Sequence, residues 1–342
     1  MNVRILIGDV RAKLAELPDA SVHCVVTSPP YFGLRDYGHA GQIGLEPTPA
    51  AFVATMVEVF REVRRVLRDD GTLWLNLGDS YASAWVCNRR SVIGSGSLPD
   101  GKRANRPNRL VDGLKEKDLM GIPWRVAFAL QADGWYLRQD IIWSKPNPMP
   151  ESVTDRCTKA HEYLFLLSKS QRYHYDGDAI SEPVADATVS RLDQDVKAQT
   201  GSLRVPGKTN GTMKAVRKRA DRFGGNKYGE DTGKHSDGSI YTGRETRNKR
   251  SVWTVNTQPY KEAHFATFPP ELIEPCIKAG CPVGGTVLDP FGGAGTTGLV
   301  ADRLGRSAIL IELNPEYAAI AERRIKGDAG MFAEVKSIAA VA

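Results

Sequence analysis

The sequence predicts an α/β fold, a mostly parallel sheet with helices on both faces, interrupted by an insert. Three observations carry this. Short β-rich runs alternate with segments of helical periodicity at both ends of the chain. Two of those runs stop at proline- or glycine-rich turns, Ser28-Pro-Pro-Tyr31 and Pro290-Phe-Gly-Gly-Ala-Gly295. Between the ordered parts lies a polar, basic stretch poor in core-forming residues.

In chain order, Val3–Ile7 predicts a strand, Arg11–Leu17 a short helix and Val22–Thr27 a second strand. Pro49–Leu67 carries Phe52, Met56, Val59, Phe60, Val63, Val66 and Leu67 at helical spacing, and Asp70-Gly71 is expected to end that helix before strand Thr72–Leu77. A Gly/Ser/Arg-rich stretch at about 84–116 reads as a mobile loop. Asp118–Gln131 predicts a helix; Trp135–Trp143 and Glu162–Ser168 predict strands on either side of Lys145-Pro-Asn-Pro-Met-Pro150. Order returns at Ser251, followed by helix Glu271–Ala279, strand Thr286–Asp289, helix Thr296–Leu304, strand Ser307–Glu312 and helix Pro315–Ile325. The expected organisation is therefore 1–180 and 251–328 as two halves of one domain, 181–250 as an insert and 329–342 as a tail.

With 342 residues, 41% hydrophobic and 25% charged, the chain has the composition of a globular protein with a sizeable core. No apolar run approaches the ~20 residues of a membrane span, and the first residues lack the pattern of a signal peptide. The five cysteines are odd in number and show no Cys-x-x-Cys spacing, which argues against zinc and against a disulfide framework and fits a reducing cytoplasm. Residues 181–250 hold 15 Lys and Arg against 9 Asp and Glu, while the remainder carries 31 of each sign. The whole net charge of +6 thus sits in the insert, as expected where one part of an otherwise neutral chain meets phosphate; a solvated loop would look the same by charge alone.

Val287-Leu-Asp-Pro-Phe-Gly-Gly-Ala-Gly-Thr-Thr-Gly298 reads as a buried strand, a glycine-rich turn and a helix start. Such a turn lets a ligand approach the backbone without interference from Cβ atoms, and Thr296 and Thr297 offer hydroxyls for capping. The segment lacks Gly-Lys-Ser/Thr, which disfavours a Walker phosphate loop, and its glycine spacing fails the dinucleotide fingerprint. Glu312, 23 residues beyond Asp289, ends the next strand, where an acid accepts hydrogen bonds from both hydroxyls of a ribose. A capping acid and a surface charge are the bland readings of Asp289 and Glu312; the combined motif disfavours them.

Ser28-Pro29-Pro30-Tyr31 follows a strand and sits at its carboxyl end. The two prolines fix the backbone and leave carbonyl acceptors suited to an –NH2 group. Ser28 adds an acceptor, and Tyr31 a flat face for a base drawn out of a duplex. An exocyclic amine is a poor nucleophile because its lone pair is delocalised, and acceptors on its hydrogens help to free that pair. Together, the two loops point to a nucleoside cofactor beside a flat, amino-bearing base.

These residues resemble the DNA amino-methyltransferases of the circularly permuted β group. The order matches: Gly8-Asp9, Ser-Pro-Pro-Tyr, Trp143-Ser-Lys-Pro-Asn-Pro148, the basic insert and Asp-Pro-Phe-Gly-Gly-Ala-Gly-Thr-Thr, over roughly residues 3 to 325. The resemblance implies the methyltransferase version of the Rossmann-like fold, S-adenosylmethionine as cofactor, double-stranded DNA as partner and 181–250 as the target-recognition region. It implies that Asp9 contacts the cofactor adenine and Glu312 its ribose. Asp289 would hold the methionine portion together with the turn, where Phe291, Gly292, Gly293, Gly295, Thr296 and Thr297 are the cofactor-binding positions. His264–Leu272 resembles the segment lining that pocket and implicates Thr267 and Phe268. Lys145 or Asn147 would touch base or phosphate, with loop fixing as the alternative for Asn147. Arg217, Lys218 and Arg219 are candidates for DNA contact. Ser at position 28 is typical of cytosine-N4 enzymes, where adenine-N6 enzymes carry Asp or Asn; adenine stays open, as does a homodimer.

A cytosine-C5 enzyme would need a thiolate nucleophile in a Pro-Cys motif; Pro275-Cys276 occurs, but inside a predicted helix, where a packing cysteine is expected. A nucleotide-dependent dehydrogenase leaves Ser-Pro-Pro-Tyr and the insert unexplained, and a non-catalytic DNA-binding protein has no need of a cofactor pocket.

Overall fold

Near-continuous runs of buried residues, as in Leu73–Leu77 and Leu164–Ser168, build the central strands of the computed structural model, which describes residues 2–34, 38–39, 41–82, 113–185, 246–258, 268–329 and 334–338. Thr267, the cluster Arg217, Lys218 and Arg219, and nearly all of the loop expected at 84–116 lie outside these residues. In chain order the elements are β1 (Asn2–Ile7), α1 (Val10–Ala15), β2 (Val22–Thr27), α2 (Pro49–Val66), β3 (Leu67–Leu77), α3 (Ile122–Ala132), β4 (Tyr136–Ser144) and β5 (His161–Ser168). There follow β6 (Glu182–Pro183), β7 (Thr246–Arg247), β8 (Val252–Thr254), α4 (Pro270–Gly280), β9 (Thr286–Asp289), α5 (Thr296–Arg303), β10 (Ser307–Glu312), α6 (Pro315–Ala329) and β11 (Glu334–Ile338). They fall into two compact units, Met1–Ala179 with Arg250–Ala342, and Ile180–Lys249.

The first unit is built on a nine-stranded sheet of order β11-β1-β10-β9-β2-β3-β5-β4-β8. All neighbours are parallel except around β5, which runs antiparallel to both β3 and β4. A proline-rich loop, not a crossover helix, joins β4 to β5, and a reversal of direction follows from that. Leu73, Leu75 and Leu77 join one hydrophobic core with α1, α2 and α3, whereas Trp74 turns to the opposite face, which α4 covers. Helices therefore lie on both faces. The α2 helix shows how directly sequence sets this layer. Pro49 opens it, Thr48 accepts the Ala51 N–H at 3.0 Å, and the expected apolar stripe is the buried face. Each such buried side chain contributes roughly 1.5–3 kcal/mol.

Two expectations are corrected. Asp70-Gly71 does not end α2: the helix closes at Val66, and β3 starts at Leu67. Val22 pairs with Leu67 and Cys24 with Thr72, so β3 bulges between them, with Arg68, Asp69 and Asp70 in solvent. Gly71 folds back over Leu67 so closely that a Cβ would stand 2.5 Å from Leu67 Cδ1. Secondly, the stretch 329–342 is more than a tail, since Glu334–Ile338 adds β11 in parallel to β1. The order expected from Ser251 onward takes the form of a strand, Val252–Thr254, which adds β8 beside β4 with Trp253 buried. Both strands are too short to show a clear period in sequence.

In the second unit, β6 and β7 pair antiparallel, Glu182 opposite Arg247, with ion pairs from Glu182 to Arg247 (3.5 Å) and Lys249 (3.9 Å). The two ends of the insert thus meet. Among the described residues, no helix is long and apolar enough to cross a membrane.

Candidate active site

The carboxyl edge of the parallel strands presents Asp9 after β1, Glu312 at the end of β10, Asp289 at the end of β9, Thr27 and Ser28 at β2, and Asn76 near the end of β3. Because β5 is antiparallel, its first residues, His161 and Glu162, reach the same edge, as does Lys145 just beyond β4. Neighbouring strands are ~4.8 Å apart, so residues from opposite ends of the chain come within side-chain reach.

Asp289 is 1% exposed. One carboxylate oxygen accepts the Thr27 hydroxyl at 2.6 Å and the Phe291 N–H at 3.1 Å, and the other accepts the Thr297 hydroxyl at 2.6 Å. Burial pushes its pKa up to about 6; the three hydrogen bonds hold it from rising further. Asp289 thus faces inward, bracing the glycine turn and tying it to the residue before Ser28. This corrects the expectation of a group presented directly to a ligand.

The turn itself is shaped by close approach. A Cβ on Gly292 would stand 2.9 Å from Leu310 Cβ; Gly295, at φ +77°, is the N-cap of α5, and a Cβ there would stand 2.8 Å from Ala321 Cβ. Gly293 differs, since the nearest atom to a Cβ there would be the Phe291 carbonyl oxygen at 3.9 Å, so this side of the loop leaves room for a ligand. Its N–H is donated to Glu312 Oε2 at 2.8 Å, and Glu312 Oε1 accepts the Asn314 N–H at 2.8 Å. Burial raises the Glu312 pKa, with a smaller contribution from the like charge of Asp289, against the backbone hydrogen bonds that lower it. Glu312 remains part-exposed. Thr296 and Thr297 do not cap α5: Thr297 donates to Asp289, and Thr296 accepts from Arg324 at 2.9 Å while Arg324 also bonds the Ala294 carbonyl. Phe291 packs against the core, and part-exposed Phe268 lies just before α4.

Asp9 is the N-cap of α1. It accepts from the N–H groups of Arg11 (2.9 Å) and Ala12 (3.3 Å), and pairs with the Arg11 guanidinium at 3.3 Å. Burial acts to raise its pKa, but the Arg11 side chain and the two amides together lower it. The Gly8 N–H bonds the Glu312 carbonyl at 2.9 Å and so joins this end of the edge to the next.

The Ser28–Tyr31 loop leaves β2 with Pro29 buried and is anchored by Phe32, which is 1% exposed and packs on Phe52. Tyr31 lies against Gly78, where a Cβ would be 2.5 Å from its ring. Its hydroxyl donates to Glu162 Oε2 at 2.7 Å, stands 3.2 Å from Asn76 Oδ1, and accepts from Ser28 at 3.3 Å. Sequence reasoning assigned no role to this hydroxyl, nor to Thr27, Asn76, Glu162 or Arg324. The available signals were an amide inside an otherwise apolar strand, Leu73-Trp-Leu-Asn-Leu77, and an acid opening another, Glu162-Tyr-Leu-Phe-Leu-Leu167.

Lys145 is engaged within the protein. It forms an ion pair with Glu162 Oε1, only 16% of its side chain is exposed, and its ammonium stands 4.2 Å from the centre of the Trp143 ring. Asn147 exchanges hydrogen bonds with the Thr257 backbone at 3.0 and 3.3 Å, the geometry of a loop-fixing residue. Cys276 is fully buried inside α4 and bonds the Leu272 carbonyl, which is the packing role expected of it.

The chain matches the DNA methylase family over residues 22–323. It is 47% identical to the Type II methyltransferase M.XycI of Xanthomonas campestris pv. cyanopsidis, over 94% of this chain and 86% of that one. It is 42% identical to M.SmaI of Serratia marcescens, with 95% and 91% covered. Among solved structures, a putative DNA modification methylase of Thermus thermophilus, in complex with S-adenosyl-L-methionine, superposes with a TM-score of 0.55 at 23% identity, over 98% of this chain and 99% of that one. The family match runs through the strand ends described above, from β2 to α6, and on that ground the chain belongs to the DNA methylase family, the N6 and N4 methyltransferases of DNA.

Proposed function

We propose that this methyltransferase transfers the methyl group of S-adenosylmethionine to the exocyclic N4 amine of a cytosine flipped out of double-stranded DNA. The observation that carries the reading is the Thr27–Asp289–Thr297 junction, which fixes the Ser-Pro-Pro-Tyr loop beside the glycine turn at adjacent strand ends. The open face of Gly293, the hydrogen-bonded but part-exposed Glu312 and the cap residue Asp9 suit a nucleoside with a polar chain: the turn for the amino-acid portion, Glu312 for the ribose, Asp9 for the adenine edge. When bound, the cofactor supplies an electrophilic methyl on a sulfonium. The protein's own part is electrostatic. Ser28 and the carbonyls of the Pro-Pro pair accept the amine hydrogens, which turns the nitrogen lone pair outward, and Tyr31 supports the base.

Residues 181–250 read the target and supply its phosphate contacts, on the strength of their concentrated positive charge. The choice of cytosine rests on Ser28. Mass spectrometry of nucleosides from DNA methylated by the pure enzyme tests it, with N4-methylcytosine expected. N6-methyladenine would change the base and leave the mechanism; 5-methylcytosine would keep the base but overturn the mechanism, because carbon attack requires an activated cysteine.

A further inference from the structure

Ser28 is useful as an acceptor only if its own proton points away from the amine. A hydroxyl carries one proton and two lone pairs, so whatever takes that proton decides what the oxygen shows to a ligand. The structure gives the proton a place to go. Ser28 Oγ lies 3.3 Å from the Tyr31 hydroxyl, and that hydroxyl lies 2.7 Å from Glu162 Oε2.

The direction of this chain is set from its far end. Glu162, with 17% of its side chain exposed, has Oε1 occupied by Lys145 and accepts the Asn76 amide at Oε2, at 3.2 Å. Asn76 is itself held: its Nδ2 also donates to the Tyr163 carbonyl at 3.1 Å, which fixes the amide with Oδ1 toward Tyr31. Two acceptors face the Tyr31 hydroxyl from the neighbouring strands, a carboxylate at 2.7 Å and a neutral amide oxygen at 3.2 Å. The shorter, charge-assisted bond is the stronger. With its proton committed to Glu162, Tyr31 can only accept from Ser28, and Ser28 then turns its lone pairs to the space in front of the loop.

We infer that Glu162 is a positioning residue for methyl transfer: its carboxylate orients the Tyr31 and Ser28 hydroxyls in one direction, so that Ser28 meets the target amine as an acceptor. The inference rests on Ser28 holding that amine. It assigns a purpose to the tyrosine hydroxyl beyond that of an aromatic face, and it makes Lys145 a partner of Glu162 instead of a DNA contact.

The test compares single-turnover methylation by the wild type, Ser28→Ala, Tyr31→Phe, Glu162→Gln and the Tyr31→Phe/Glu162→Gln double variant, with S-adenosylmethionine and DNA affinities measured alongside. A neutral amide at position 162 can donate as well as accept, so the chain loses its enforced direction. The transfer rate should fall roughly 10- to 100-fold in Glu162→Gln and in Tyr31→Phe, with both affinities within about twofold of wild type. The double variant should be no slower than the slower single one, because both changes break one chain. A wild-type rate in Glu162→Gln, or effects that multiply in the double variant, would overturn the inference. Should Glu162→Gln fail to fold, a wild-type rate in Tyr31→Phe overturns it equally. If Ser28→Ala alone keeps the wild-type rate, the fault lies with the assignment of the loop; if Ser28→Ala is slow and the other variants are not, it lies with Glu162.

Discussion

Two carboxylates brace the two halves of this site, and they do so by opposite means. Asp289 is enclosed by two hydroxyls and a backbone N–H, with no cation among its hydrogen-bond partners. Glu162 has an ammonium on one oxygen and a hydroxyl and an amide on the other. Burial, offset only in part by these hydrogen bonds, raises the Asp289 pKa to about 6, so this brace can take up a proton in mildly acidic solution. The lesson is one of division of labour. The cofactor side is fixed largely by backbone geometry, with neutral donors around a lone acid. On the side of the Ser-Pro-Pro-Tyr loop, one carboxylate gathers an ammonium, a hydroxyl and an amide from three different strands or loops.

The largest expected effect separates structural from binding acids. Asp289→Ala strands two buried hydroxyls and an N–H, and should cost about 3–5 kcal/mol of stability in urea unfolding. Loss of less than about 1 kcal/mol would show that the junction is not a brace. A second measurement sharpens the contrast through pH. The folded pKa of Asp289 lies above its ordinary 3.8, so the folded state holds the proton more tightly. The stabilisation is complete below about pH 4 and is lost as pH rises to about 6, some 3 kcal/mol in all. The stability difference between wild type and Asp289→Asn should shift against the wild type by about that amount across this window. A difference that is constant with pH would refute the raised pKa.

Glu312→Gln comes next. It keeps an acceptor for one backbone N–H but removes the charge, and should weaken S-adenosylmethionine binding by about 1.5–3 kcal/mol in calorimetric titration while the melting temperature changes little. Unchanged affinity would remove Glu312 from the cofactor site. The smallest effect concerns charge on the DNA side. Lys145→Met should leave the salt dependence of DNA binding unaltered, because that ammonium is engaged with Glu162, whereas neutralising Arg217, Lys218 and Arg219 together should flatten it. A reduced slope in Lys145→Met would return Lys145 to the phosphates.

What could be read in advance follows the range of the interactions. The α2 stripe and strands Val22–Thr27, Thr286–Asp289 and Ser307–Glu312 were legible because local periodicity and turn residues agree there. The first turn of β3 misled because Asp70-Gly71 looks like a helix stop but serves a bulge against Val22. The loops of the site were legible as motifs, whereas the orientation of their side chains was not. Thr27 meets Asp289 across 262 residues and Tyr31 meets Glu162 across 131, and nothing local in the chain marks such partners. Asp289 itself was recognised, yet its inward direction depends on two threonines brought to it by the fold.

The short β6–β7 ladder has a consequence of another kind. Because Glu182 and Arg247 stand opposite each other, the sixty-odd residues between them leave and re-enter the chain at a single gate. A segment attached in this way behaves as a cassette: its length and composition can drift, or be exchanged wholesale, with little strain passed to the strands on which chemistry depends. Exchange of the whole segment at Glu182 and Arg247 therefore needs no change in the strands of the nine-stranded sheet.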